Sequence, residues 1–329
     1  MNNNSIDLKG NDNFSLFNEI DLKDLKNFLN SYYIEYRDQL NLDNNITFGT
    51  EIETEYAEKR FIDDELRLFY NNKRWKKDID NSLVKGTEIK SPILYDKTKF
   101  WNDLKLVCEI LQKYSRIDNK AAAHIHIGSQ ILGNKIESWY NFSYLWGVYE
   151  NIIYRYAYGE HLTSRPNIVK YAAKIRNKCI NAYDNYKYYK CNDFKYLLDL
   201  LEFKKNNAFS IFNLDLYRYY KFYPYNTIEI RCPNGTLNPI IWQNNINVFT
   251  KMLIYCTKNS FDKDIIDKRK SEIERFKIND YNKIYFEQAL EFADLIFDNN
   301  LDKINFLRQY TKSFKTSDNY NNKAKKFTK

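Results

Sequence analysis

Six side chains able to hold a cation recur along the chain at strand-like spacing: Glu51 and Glu53, Glu88, His124 and His126, and Glu229. In a strand, residues two apart share a face. Glu51, Glu53 and Glu55 therefore line one side of the Thr47–Tyr56 segment, opposite Phe48, Ile52 and Tyr56. The same arithmetic sets Glu88 and Lys90 against Ile89, His124 and His126 against Ile125 and Ile127, and Glu229 and Arg231 against Ile228 and Ile230. One plain reading is the solvent-facing side of an antiparallel sheet, which commonly alternates in this way. A metal-dependent catalytic site explains more, because the recurring groups ligate cations and crowded carboxylates either bind a cation or take up protons. A ligand set dominated by carboxylate oxygen suits Mg2+ or Mn2+, and the strands carry no thiolate to favour zinc. The only other histidine is His161, near Arg165, where a capping or surface role is expected. Gly49, Gly86, Gly128 and Gly235, half of the eight glycines, fall within a few residues of these strands.

The elements that must position these groups follow from hydrophobic period. Helical spacing marks residues 14–40, 97–115, 136–158 and about 240–258, and further helices are expected at 264–278 and 281–311. Strands are expected at 47–56, 87–92, 121–127 and 227–232, and between the first two lie a polar stretch, the segment Trp75–Asp80 and a turn at Asn81-Ser82. Residues 165–225 read as short helices with Tyr-rich connections. With no repeat and no long linker, the organisation expected is a helical segment at 1–45, a catalytic domain at 46–258 and a helical extension with a basic tail at 259–329.

Composition narrows the class. The 329 residues are 43% hydrophobic and 29% charged, enough to bury a full core. The net charge of +8 is modest, and the basic residues are interleaved with acidic ones except at Lys323, Lys325, Lys326 and Lys329. Nucleic-acid binding is weakly supported by that tail. Five widely spaced cysteines without a CxxC pair argue for free thiols in a reducing cytosol. No basic-then-apolar leader and no run of about 18 apolar residues is present, so export and membrane insertion are not expected and the cytoplasm is the expected compartment.

Six short motifs, in order, resemble the putative amidoligase family. They are Gly49-Thr-Glu51-Ile-Glu53, Asp80-Asn-Ser82-Leu83, Glu88-Ile-Lys-Ser-Pro92, His124-Ile-His126-Ile-Gly128, Ser164-Arg165-Pro166-Asn167, and Thr227-Ile-Glu229-Ile-Arg231 followed by Asn234-Gly235-Thr-Leu-Asn-Pro239. The likeness covers about residues 46–256 and departs at Asn81, where the family's turn usually has glycine. It implies membership of the carboxylate–amine ligase superfamily, with glutamine synthetase and glutamate–cysteine ligase. The implied fold is α+β, a curved, mostly antiparallel, glutamine synthetase-like sheet backed by helices, with the site on its concave face. The implied activity is ATP-dependent amide formation through an acyl phosphate. By position, Glu51, Glu53, Glu88, His124 and Glu229 would hold Mg2+ or Mn2+; His126, Arg231 and Arg165 would contact ATP; and Arg231 and Arg165 would serve catalysis. The implied partners are a carboxylate and an amine, the carboxylate on an amino acid, a peptide or a protein. A metal-dependent hydrolase or nuclease using the same cluster is the alternative. No GxxxxGK[ST] loop is present, which argues against ordinary P-loop NTPases and not against this superfamily.

Overall fold

The computed structural model describes residue 8 and residues 13–73, 75–79, 83–118, 120–161, 164–190, 193–201, 206–211, 227–273, 284–311 and 327–328. The Asp80–Ser82 turn, the basic tail and most of the Tyr-rich stretch at 212–225 lie outside these residues.

Four strands form where alternation placed them, and two short strands not expected from the sequence add the edges of the sheet. Strands β1 (Phe48–Thr54), β2 (Lys76–Asp78), β3 (Thr87–Lys90), β4 (Ala123–Gly128), β5 (Phe209–Ser210) and β6 (Thr227–Ile230) form one sheet in the order β2-β3-β1-β4-β6-β5. Every strand pair is antiparallel, so the class is α+β. Phe48, Ile52, Ile89, Ile125, Ile127, Ile228 and Ile230 point away from the charged face and are buried. Helices α4 (Thr98–Tyr114), α5 (Ile136–Ala157) and α9 (Pro239–Tyr255) supply much of the apolar surface on that side. Phe48 stacks on Trp101 of α4 with ring centroids 4.9 Å apart. Burying each of these isoleucines contributes roughly 2 kcal/mol or more, which also fixes register, since a one-residue slip would turn them to water.

Several elements differ from the sequence expectation. The polar stretch at 57–74 is helix α3 (Lys59–Lys73), which buries Ile62, Leu66 and Phe69, a stripe at helical spacing hidden among charged neighbours. Residues 14–40 do not form one helix but α1 (Leu16–Glu19) and α2 (Leu22–Ser31). Asp21 starts the second by accepting from the N–H groups of Lys23 and Asp24. Beyond it the chain is extended, and Ile34 N–H donates to Phe327 O at 2.8 Å. The chain after β4 builds α6 (Ile168–Tyr171), α7 (Arg176–Tyr189) and α8 (Phe194–Leu201).

The C-terminal segment forms α10 (Lys263–Ile273), α11 (Ile284–Ile296) and α12 (Asn300–Thr311). The expected single helix over 281–311 breaks because Asn299 Oδ1 accepts from Asp302 N–H and restarts it. One hydrophobic cluster runs from Leu16 to Tyr310, so the helices at both ends share the sheet domain's core. Between α9 and α12 the contact is polar. Asp302 accepts from Arg37, Asn247 and Asn299, and Gln309 bridges Asn244 and Asn245. The four described cysteines, Cys108, Cys179, Cys232 and Cys256, are free and buried. Among the described residues no helix is long and apolar enough to cross a membrane.

The approach to β1 is fixed by one buried carboxylate. Asp96 accepts from the N–H groups of Leu40 and Leu42 and from Trp101 Nε1, at 2.7 to 3.0 Å. Asp96→Ala leaves three buried donors unpaired and should cost about 3 kcal/mol or more in urea unfolding. A loss under about 1 kcal/mol would contradict this role for Asp96.

Candidate metal centre on the sheet face

Antiparallel register brings the six groups together. Glu51 lies opposite His124, Glu53 opposite Glu88, and His126 opposite Glu229 across three strand pairs. All six project from one face of four adjacent strands, β3-β1-β4-β6. Glu53, Glu88, His124 and Glu229 are buried, while Glu51 and His126 keep a side-chain exposure near one fifth.

Glu51 is the hub. Its Oε2 lies 3.1 Å from His124 Nδ1 and its Oε1 lies 3.3 Å from His126 Nε2. Burial alone would raise its pKa, but the hydrogen bond from His124 and the His126 ring beside it outweigh that and hold it well below the usual carboxylate range. His124 also sits 3.7 Å from both Glu53 and Glu229. Glu88 is displaced the other way, upward, by burial and by the charge of Glu51. Lys90, on the same face, opposes that rise: its Nζ lies 2.8 Å from Glu88, 2.9 Å from Asp78 and 3.5 Å from Glu51.

Two sets of ligand atoms converge within 4.8 Å: Glu51 with His126 and Glu229, and Glu51 with Glu88 and His124. The donor chemistry, carboxylate with imidazole, fits a hard divalent cation. A second observation agrees. His126 Nε2 is buried and, although near Glu51, finds no aligned hydrogen-bond partner, while Nδ1 is held by Thr227 Oγ1 at 3.2 Å. A ring oriented through one nitrogen, with the other aimed into a carboxylate cluster, is the usual posture of a ligand. The arrangement thus puts His126, which the resemblance assigned to phosphate, among the ligands as well.

The remaining positions divide. Glu53 also accepts from Ala122 N–H at 2.7 Å, which ties it to the chain entering β4. Glu55, which alternation set beside Glu53, is 1% exposed and accepts from Lys120 N–H just past the end of β1. His161 follows α5 and its N–H donates to Tyr158 O. Arg231 pairs with Glu229, and its Nε donates to Tyr171 O at 3.3 Å. Arg165 is tied to main chain beside them. Its guanidinium donates to the carbonyls of Arg231 (2.8 Å), Pro233 (2.6 Å) and Cys232 (3.4 Å), and burial lowers its pKa. It therefore holds the main chain that carries Arg231. Close packing completes this corner: a Cβ on Gly235 would come within 2.8 to 2.9 Å of Ala121.

Lys90 and Asp78 are members of the cluster that sequence spacing did not single out. Parity placed Lys90 on the face, but its partners depend on β2 lying beside β3, which no local pattern encodes. A cleft of about 190 Å³ opens beside Glu51 and His126, walled by Gly49, Pro92, Ile93 and Thr227. A larger cleft, about 590 Å³, lies between the start of α5 and the start of α10 and shares no residue with the sheet face.

The architecture is thus an antiparallel sheet presenting a carboxylate–imidazole cluster able to hold a cation, with an arginine at its edge. A family model described as a putative amidoligase enzyme matches residues 37–254, about two thirds of the chain. The chain belongs to that family. Comparison with curated proteins gives no match.

Arg165→Ala would take the guanidinium donors from the carbonyls of Arg231, Cys232 and Pro233 in a buried corner, Pro233 O keeping only Ala123 N–H. We expect a loss of about 3 kcal/mol in unfolding free energy. Arg165→Lys should recover only part of it, since an ammonium cannot span three carbonyls as a planar fork does. Unchanged stability of the alanine variant would refute the clamping role.

Proposed function

We propose that the chain is an ATP- and Mg2+-dependent carboxylate–amine ligase that forms an amide bond through an acyl phosphate, on a glutamine synthetase-like catalytic fold. The single observation that carries the reading is the position of Glu51, an ionised carboxylate shared by two convergent ligand sets on the sheet of an amidoligase-family chain. Glu51, Glu53, Glu88, His124 and Glu229, joined by His126, would hold the cations. Mg2+ bound there supplies positive charge against the triphosphate and the charge that develops in phosphoryl transfer.

The chain's own groups do the rest. Thr227 orients His126, and His124 keeps Glu51 deprotonated. Arg231, released from Glu229, would meet the transferred phosphoryl group, with its main chain held in place by Arg165. The substrate carboxylate attacks the γ-phosphate, ADP leaves, and an acyl phosphate results. The amine then attacks the acyl carbon, phosphate leaves, and the amide remains. The cleft beside Glu51 and His126 is next to the ligand sets and is available to a substrate group. The family points to a carboxylate and an amine as substrates; an amino acid, a peptide or a protein would carry the carboxylate.

Calorimetric titration with ATP, with and without Mg2+, tests this reading. Binding of Mg-ATP should be lost or weakened by about tenfold or more in Glu51→Gln, which removes the shared charge. Failure of Mg-ATP to bind the intact chain would sink the ligase. Turnover of a phosphodiester or peptide with no nucleotide present would favour a hydrolase on the same cluster.

A further inference from the structure

Lys90 has no part in the proposed ligand sets, yet its ammonium sits inside one of them. Nζ is 2.8 Å from Glu88 Oε1 and 3.5 Å from Glu51 Oε1, and both carboxylates belong with His124 to a set whose ligand atoms lie within 4.8 Å of one another. A divalent cation drawn to those oxygens meets a positive charge already there, and like charges at such a separation repel by more than thermal energy even in a solvated site. The second set, Glu51 with His126 and Glu229, meets a cation at one ligand at a time, Arg231 at Glu229 and Lys90 at the shared Glu51, whereas in the first set one ammonium pairs with two of the three ligands. The two positions are therefore unequal.

Asp78 gives Lys90 somewhere else to be. It belongs to neither ligand set, lies opposite Glu88 in the β2–β3 register, and has a half-exposed side chain with Oδ2 2.9 Å from Nζ. A lysine stem is long and freely rotating, so Nζ can give up Glu51 and Glu88 while staying paired with Asp78. β2 is an edge strand of the sheet, which leaves room on that side for the ammonium.

We propose that Lys90 is a tethered counter-ion with two stations: it neutralises Glu51 and Glu88 in the cation-free chain and is displaced onto Asp78 when a divalent ion takes the Glu51–Glu88–His124 position. That position then loads more weakly than the Glu51–His126–Glu229 position. The site fills in sequence, and its second ion enters only at a concentration sufficient to move the lysine. The proposal rests on the divalent-cation site of the ligase reading, and it adds the order of loading and the residue that sets it.

The test is Mn2+ titration of the full chain without nucleotide, followed by calorimetry and by the electron paramagnetic resonance signal of free Mn2+. Wild type should show two unequal binding steps. Lys90→Met should tighten the weaker step by about tenfold or more, with Lys90→Gln as a second variant, because a repelling charge is removed. Lys90→Arg, which keeps the charge, should stay with wild type. Lys76→Met removes a charge directly across the β2–β3 pair from Lys90 and should change affinity by less than about twofold, since that exposed charge is screened. Asp78→Asn removes the outer station and should weaken the second step. A Lys90→Met isotherm equal to wild type, with Mn2+ still binding, would overturn the role of Lys90 alone. Absence of Mn2+ binding in wild type and all variants would overturn the cation site itself.

Discussion

Glu53 faces Glu88 directly across an antiparallel pair, with Glu51 one pleat away, and the remainder of the sheet face is arranged around that repulsion. Like charges opposite one another destabilise a sheet, so each carboxylate here has acquired compensation. Glu51 has two imidazoles, Glu53 a main-chain N–H, Glu88 the ammonium of Lys90, and Glu229 the guanidinium of Arg231. These partners are of two kinds. Main-chain donors are permanent. Imidazoles, an ammonium and a guanidinium can rearrange when a stronger cation arrives. A face built in this way is stable enough to fold and still able to exchange its counter-charges.

The rigid part of that arrangement lies beneath and beside the face. Isoleucines on the reverse side lock register, Asp96 ties the chain entering β1, and Arg165 gathers three carbonyls where β6 ends. Gly235 against Ala121 brings the segment before β4 and the segment after β6 into contact without intervening side chains. Charge pairs exchange on the face, whereas the main chain that presents them is held by buried hydrogen bonds and packing, which are costly to leave unmade.

Much of the site was legible because a strand's period of two carries both parity and chemistry. Glu51, Glu53, Glu88, His124, His126 and Glu229 needed only their spacing to be assigned a face, and the structure puts them on one. Spacing says nothing about partners, and it gave no sign that the Arg165 guanidinium also donates to three main-chain carbonyls. Glu55 shares the parity of Glu53, but β1 ends at Thr54 and Tyr56 adopts a left-handed backbone, so parity stops applying there. Helix α3 was hidden by its charges and β5 by its two-residue length. The polar seam between α9 and α12 was hidden by composition: in an Asn-rich chain, Asn244, Asn245 and Asn247 look incidental, and only burial reveals them as connectors.

The joins between the chain's two ends bear on how the molecule is made. Ser15 Oγ donates to Asp294, and Lys303 Nζ donates to the carbonyl of Phe14, at sequence separations of 279 and 289. On a ribosome the strands β1 to β6 emerge long before either helix that receives the N-terminal segment. The nascent sheet must wait with α1 and α2 undocked, its apolar reverse side incompletely covered, until α11 and α12 arrive. Non-local closure of this kind is slow and leaves hydrophobic surface open to other molecules in the interval. The interval of greatest exposure is thus the one between the emergence of β6 and that of α12, when most of the charged face has already been laid down.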